Sequence, residues 1–452
     1  VKTVQLALAS MILLACGRRA EIEACNIAQR SCQEDIYYEI VRLRGDGFDP
    51  FQGVPPMRTI TLGEYRDELT ADQAPPAQAP APKEPPKIDP VQVAFQLLGL
   101  VARTTSTAAA AIDDRVNNVA AFYDWNRSDV TVIDRGDEHN DGADTTLLAH
   151  ELVHAFQHAE QSLGATLNTT DSNFADQALV EGEAVLYEHL IGAEIQGIPP
   201  RQVDWKRYYA GWTASLRASM VEWTADRLWT HRLSATQAKS PYYAVSWFVY
   251  PFGANLLTNA WLEGGNSAVR KLATDAPRHS LHFMASMAGV KPSPSATLPC
   301  QVEPPAKSFT RIVFDRFGAM QVYAFLGAQG LDEATSWAQA LHWRDDLIWI
   351  YFDEKSQTVA VSWRIRFSQR SAADLAFTAI ATSGTLERAD DGADAPSSYE
   401  RVAKPSALDR ADLPRLPALS ASRHGDDLVI TGSNDADLLA SWPGASECAA
   451  SL

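Results

Sequence analysis

Leu147-Leu148-Ala149-His150-Glu151-Leu152-Val153-His154-Ala155-Phe156 is the stretch on which the reading of this 452-residue chain turns. Two histidines four positions apart share one face of a helix, about 6 Å apart along the axis at 1.5 Å per residue. Both rings can then reach one metal ion at about 2.0–2.1 Å, a spacing that suits zinc. Glu151, between them, is placed to take a proton from metal-activated water. The motif is only five residues long, so its surroundings decide whether it is a site.

Catalytic zinc ordinarily takes three protein ligands and keeps one position for water. His158 continues the same helical face, but it stands about 12 Å along the axis from His150, too far for three rings to meet one ion on a straight helix. It reads as a surface histidine or as one that supports a ligand. The longer motif with a glycine and a third histidine is absent, because Gln157 and Glu160 occupy those positions. Glu181 is the stronger candidate. It falls 27 residues beyond His154 (181 − 154), on a second predicted helix over 175–195, with enough chain between for the two helices to pack side by side. Its carboxylate would complete a His-His-Glu set. Glu183 and Glu188, on the same helix, stand behind it as alternatives.

The predicted motif helix runs over 145–162, capped by Thr145 or Thr146 and ended by Leu163-Gly164. Before it, Val119-Ala120-Ala121-Phe122-Tyr123-Asp124 and Val130-Thr131-Val132-Ile133-Asp134 flank the turn Trp125-Asn126-Arg127-Ser128 as a hairpin. The acidic stretch 135–144 lacks calcium-loop spacing and reads as a solvated loop. Further upstream, Ile22, Ile27, Ile36, Ile40, Val41 and Leu43 give a helix over 20–44, stopped by Arg44-Gly45-Asp46-Gly47. A short strand is expected at 57–61. Residues 74–90 carry seven prolines and read as a semi-rigid linker. The compact part is therefore expected to begin near residue 90, with a helix over 91–113. The N-terminal helical segment 17–73 is either a spacer or packed on that part.

Downstream, helices are expected over 205–237 and 241–262, followed by a proline-rich break at 291–307 and a helix at 332–341. A hairpin then spans 347–352 and 358–367, followed by a helix at 371–381, a loop over 384–420 and a strand at 427–432. The predicted class is α+β, mainly helical: a metal-binding core over 91–310 and a C-terminal α+β region over 311–452.

The formal net charge of −17 argues against nucleic acid as a partner, because phosphate binding needs a basic face. It offers anionic lipid no electrostatic attraction either. Lys2 precedes an apolar run over 4–15, the length of a signal-peptide core. Leu13-Leu14-Ala15-Cys16 resembles the bacterial lipobox, which makes 1–16 a lipoprotein signal with Cys16 as the lipidated residue. An ordinary cleaved signal is the alternative. Gly17 stands where an aspartate would retain a lipoprotein at the inner membrane, so the expectation is an outer-membrane lipid anchor facing the periplasm or the cell surface. Four further cysteines, Cys25, Cys32, Cys300 and Cys448, suit two disulfides in an exported chain, with three connectivities open. If residues 21–44 formed one unbroken helix, Cys25 and Cys32 would sit about 10 Å apart and could not pair.

His150-Glu151-Leu152-Val153-His154-Ala155-Phe156-Gln157 and Val180-Glu181-Gly182-Glu183-Ala184 together resemble the gluzincins, the thermolysin-related zinc metallopeptidases. More closely, they resemble a group of largely uncharacterised bacterial lipoproteins and secreted proteins. Their motifs run His-Glu-Leu-Val/Thr-His-Ala-Leu-Gln-Asp-Gln and Val-Glu-Gly-Asp/Glu-Ala. Ala121-Phe122-Tyr123-Asp124, Tyr250-Pro251-Phe252-Gly253 and Trp261-Leu262-Glu263-Gly264-Gly265 extend the likeness over about 90–435. The resemblance implies a thermolysin-like core with zinc on His150, His154 and Glu181, and Glu151 as base. It also implies a peptide or protein substrate lying along an edge strand, either 130–134 or its hairpin partner. Tyr250 is the first candidate to stabilise the oxyanion, ahead of Tyr242, Tyr243 and His231. Gly182 would permit close helix approach. Two departures stand out: His158-Ala159 replaces Asp-Gln, and Val185 stands where thermolysin-like enzymes place an aspartate that supports a histidine ligand. The competing expectation is a non-catalytic envelope lipoprotein that keeps such a fold for binding or scaffolding. Its sign would be a missing base or ligand, and neither is missing.

Overall fold

The computed structural model describes residues 22–45, 47–72, 88–100, 119–134, 141–160, 169–225, 245–275, 277–292, 301–382, 402–405, 418–442 and 444. Cys16, Cys300, Cys448, His231, Tyr242, Tyr243 and most of the proline-rich linker lie outside them.

Residues 22–29, inside the helix expected over 20–44, are not helical. Cys25 and Cys32 form a disulfide with 5.7 Å between their Cα atoms, and helix α1 runs Arg30–Arg44. The two facts require each other, because the pair can close only if Cys25 lies off the helix. The expected stop is found at Gly45. Its φ of 67° is left-handed, and its N–H closes on the Val41 carbonyl at 3.2 Å. Strand β1 (Met57–Thr61) and helix α2 (Leu62–Asp72) follow. Helix α3 (Pro90–Leu97) starts at Asp89, whose carboxylate accepts the N–H groups of Val91 and Gln92. It is shorter than the helix expected over 91–113. Leu98 caps it, and Gly99 turns the chain away with a φ of 72°.

Strands β2 (Ala121–Asp124) and β3 (Asp129–Asp134) form the expected hairpin. On its other side β3 pairs in parallel with β1, from Met57 opposite Val130 to Thr61 opposite Asp134. The order β1-β3-β2 makes β3 the central strand. Two expectations are corrected here. Residues 130–134 offer no edge, and of the two hairpin strands only β2 lies at an edge. Residue 90 also separates nothing, because strands from both sides of it share one sheet. Hydrophobic periodicity along one segment carries no information about a parallel partner so far away in sequence.

Helix α4 (Asp141–Ala159) carries the histidines. It begins before Thr145, so neither Thr145 nor Thr146 caps it. Thr145 is instead buried in the helix, where its hydroxyl accepts the Cys25 N–H at 3.0 Å and donates to the Cys25 carbonyl at 3.1 Å. Helix α5 (Thr170–Ile195) starts earlier than the 175 expected. A capping box sets its start: the Thr169 hydroxyl accepts the Ser172 N–H at 3.2 Å, and the Ser172 hydroxyl accepts the Thr169 N–H at 3.3 Å. After helix α6 (Trp205–Ala225) and a 3-10 turn at Val245–Phe248 comes helix α7 (Val249–Thr274), whose backbone is non-helical at Gly264 and Gly265. Helix α8 (Ser280–Ala288) follows. Helices α5 and α7 cross with their main chains in contact. A Cβ on Gly182 would collide with the backbone of Gly253, and a Cβ on Gly253 would collide with the Ala178 carbonyl.

The C-terminal part begins with strand β4 (Thr310–Asp315), helix α9 (Gly318–Ala328), helix α10 (Glu333–Ala340) and the long hairpin β5 (Trp343–Asp353) and β6 (Thr358–Phe367). Helix α11 (Arg370–Thr382), strands β7 (Val402–Pro405), β8 (Ala418–His424) and β9 (Asp427–Ser433), and helix α12 (Ala436–Ser441) complete it. The strands form one antiparallel sheet ordered β4-β5-β6-β9-β8-β7. The stretch 384–420, expected as loop, thus supplies β7 and the start of β8. Helix α9 was not foreseen. All its residues are buried, so it has no polar face to generate a helical period. Phe325 packs on Trp363 and Tyr323 packs on Phe248. One apolar core therefore runs from α1 to the sheet, and the class is α+β as expected.

Candidate metal centre

Helices α4 and α5 lie side by side and bring the three expected ligands together. His150 Nε2 lies 3.2 Å and His154 Nε2 3.6 Å from Glu181 Oε2. Ligand atoms from all three residues fall within 4.8 Å of one another. The two rings meet edge to face with centroids 4.9 Å apart. Both histidines are buried and Glu181 is half-buried.

The outer ring nitrogens are also accounted for. His150 Nδ1 lies 3.1 Å from Glu188 Oε2, and His154 Nδ1 lies 2.8 Å from Gln157 Oε1. Each acceptor holds its ring in the tautomer that turns an Nε2 lone pair inward, as metal-ligating histidines require. The chemistry of this donor set fits a divalent ion, and the His-His-Glu cluster could hold one. The alternatives Glu183 and Glu188 are thereby corrected. Glu188 supports His150 from two helical turns past Glu181, the part that Val185 cannot play. Glu183 accepts from Gln157 Nε2 at 3.0 Å. Gln157, one turn beyond His154, enters the sequence reading as a position lacking glycine and as part of the resembling motif, with no role for its side chain. Its spacing from His154 was the available signal.

Without a metal the cluster behaves as a buried ion pair. Burial opposes charge on His150, but hydrogen bonds to Glu181 and Glu188 outweigh it and raise its pKa well above the ordinary value. Burial likewise opposes charge on Glu181, and its bonds to the two histidines outweigh it and lower its pKa. Glu151 is buried beside them. Burial raises its pKa against the attraction of both histidines. Its Oε2 accepts the main-chain N–H of Tyr123 at 2.8 Å. That N–H points away from β3, so the outer edge of β2 faces the histidine helix.

His158 stands apart from the cluster, as the helical rise requires. Its Nδ1 is 2.7 Å from the Tyr123 hydroxyl, and Trp125 packs on both His154 and His158. Tyr250, in the first turn of α7, places its ring 6.3 Å from that of His150. The main-chain contact at Gly253 seats that turn against α5. Trp247 also packs on Tyr250, with centroids 6.1 Å apart. No described helix is long and apolar enough to cross a membrane. Comparison of the chain with models of known families, with curated proteins and with solved structures finds no match.

Proposed function

We propose that this protein is a zinc-dependent metallopeptidase of gluzincin type, with a thermolysin-like arrangement of edge strand, histidine helix and third-ligand helix. The observation that carries the reading is the convergence of His150, His154 and Glu181 with both outer ring nitrogens already occupied. Two imidazoles and one carboxylate suit zinc with a position left for substrate or water. A zinc ion held there would supply Lewis acidity, lowering the pKa of water and polarising a carbonyl oxygen.

The chain's own residues supply the rest. Glu151, held at one oxygen by Tyr123, takes a proton from the attacking water as the new C–O bond forms. It returns the proton to the amine nitrogen as the C–N bond breaks. Its raised pKa suits a base that must also act as an acid. The edge of β2 offers main-chain hydrogen bonds to an extended peptide. Tyr250, whose ring lies 6.3 Å from that of His150, is the first candidate to donate a hydrogen bond to the developing oxyanion. The Cys25–Cys32 disulfide supports an exported protein, in keeping with the signal and lipid anchor expected at Cys16.

Metal analysis and a proteome-derived peptide library test the reading. Purified protein should carry about one equivalent of zinc. Glu151→Gln should keep the zinc and lose about 100- to 10,000-fold in peptide hydrolysis. Hydrolysis by that variant at the wild-type rate would remove Glu151 from its role. Failure to bind zinc would remove the peptidase reading altogether.

A further inference from the structure

We infer that Arg44 is a positioning residue for the metal centre: acting through Glu183 and Gln157, it fixes the tautomer in which His154 offers Nε2 to the ligand set. The inference rests on the reading of that cluster as a metal centre.

The chain of contacts runs from the N-terminal helix to the ligand. Gln157 Nε2 donates to the Val180 carbonyl at 2.9 Å and to Glu183 Oε2 at 3.0 Å. Two acceptors use both amide hydrogens, so the carboxamide has one orientation. Turned over, it would set its oxygen against two oxygens. The remaining Oε1 faces His154 Nδ1 at 2.8 Å and can only accept. His154 must then carry its hydrogen on Nδ1 and its lone pair on Nε2. A neutral amide alone could not choose between tautomers; the two acceptors behind it, the Val180 carbonyl and the Glu183 carboxylate, make the choice.

Glu183 is itself buried, and a buried carboxylate needs a partner. Arg44 supplies one. Its side chain is 0% exposed, Nη1 lies 3.4 Å from Glu183 Oε1, and Nη2 pairs with Glu160. The guanidinium also lies 4.9 Å from the centroid of Phe156, between the second histidine and Gln157 in sequence. At its other end, the same N-terminal segment fastens to α4 through the main chain of Cys25 on Thr145. The segment therefore grips the histidine helix on both sides of the site and delivers one charge to it.

The experiment uses the full chain. Heteronuclear NMR of isotope-labelled histidine at mildly alkaline pH reads the His154 tautomer in metal-free protein. Wild type should show the hydrogen on Nδ1. Gln157→Leu should lose that preference, Glu183→Leu should weaken it because Val180 alone then orients the amide, and Glu183→Gln, which keeps an acceptor for Gln157, should retain it. Zinc affinity, read by chelator competition, should fall about 10- to 100-fold in the two leucine variants and about tenfold in Arg44→Met. Combining Arg44→Met with Glu183→Leu should cost no more than Glu183→Leu alone, because residues acting through one another are not additive. If Arg44→Met does not fold, the Gln157 and Glu183 variants decide. Folded leucine variants with wild-type tautomer and wild-type zinc affinity would overturn the inference, as would additive losses in the double variant. If wild type binds no zinc, the metal-centre reading fails, and the tautomer comparison still decides the role of the network.

Discussion

Asp346 and Glu151 are both buried carboxylates, one at the start of the C-terminal hairpin and one on the histidine helix, and their surroundings differ in kind. Asp346 is saturated. Its Oδ1 accepts the Gly318 N–H at 2.8 Å and the Trp343 indole N–H at 3.0 Å. Its Oδ2 accepts the Phe317 N–H at 2.9 Å and the Trp363 indole N–H at 2.8 Å. Glu151 has the single donor Tyr123 among the described residues. A carboxylate with four donors ties strand to helix, and burial still raises its pKa to about 7. A buried carboxylate with capacity to spare carries a solvation cost, which the fold offsets elsewhere. The sheet half of the molecule surrounds its buried carboxylate with donors, whereas the helical half leaves its own with one.

Substitutions on each side can break or sharpen this contrast. The largest stability effect should come from Asp346→Ala, which leaves four buried donors without an acceptor. Denaturant titration should show a loss of about 4 kcal/mol or more, while the folded fraction binds zinc as wild type does. A changed zinc affinity would mean that sheet and site are one unit, and the contrast would collapse. Glu188→Leu should do the reverse. Losing the partner of His150 Nδ1 should weaken zinc binding about 10- to 100-fold, with a smaller change in unfolding free energy than Asp346→Ala.

The third effect is smaller and concerns pH. Because Glu181 and Glu188 hold His150 protonated well above its ordinary 6.5, zinc must displace that proton. Apparent zinc affinity should therefore keep rising by about tenfold per pH unit above 6.5. The metal-free protein should show the opposite sign. The stabilisation from His150 is fully present below 6.5 and is lost as pH rises through the raised pKa. An affinity plateau starting at 6.5 would show that the carboxylates do not hold the proton.

What the sequence revealed follows the range of each interaction. The histidine pair, Glu181 and the strand at 57–61 were legible because their signals are local periodicity and spacing. Glu188 was visible as a carboxylate on the right helix but not in its role, which depends on the ring nitrogen it meets across a helix interface. Asp346 carried no signal at all, because three of its four donors lie in α9 and β6 or at the start of α9. The parallel pairing of β1 with β3 was hidden for the same reason. Arg44 read as the last residue of a helix before Gly45, and only the packing of α1 on α4 and α5 shows where its charge goes.

The contact of Gly182 with Gly253 also sets a schedule. A chain under synthesis has made His150, Glu151, His154 and Glu181 well before it makes Gly253. Until then the backbone around Ala178 has nothing to rest against, and Tyr250 does not yet exist. A half-made chain thus possesses every ligand but lacks the seat that holds the third one in place. The residues of the candidate centre are made before the contact that seats them.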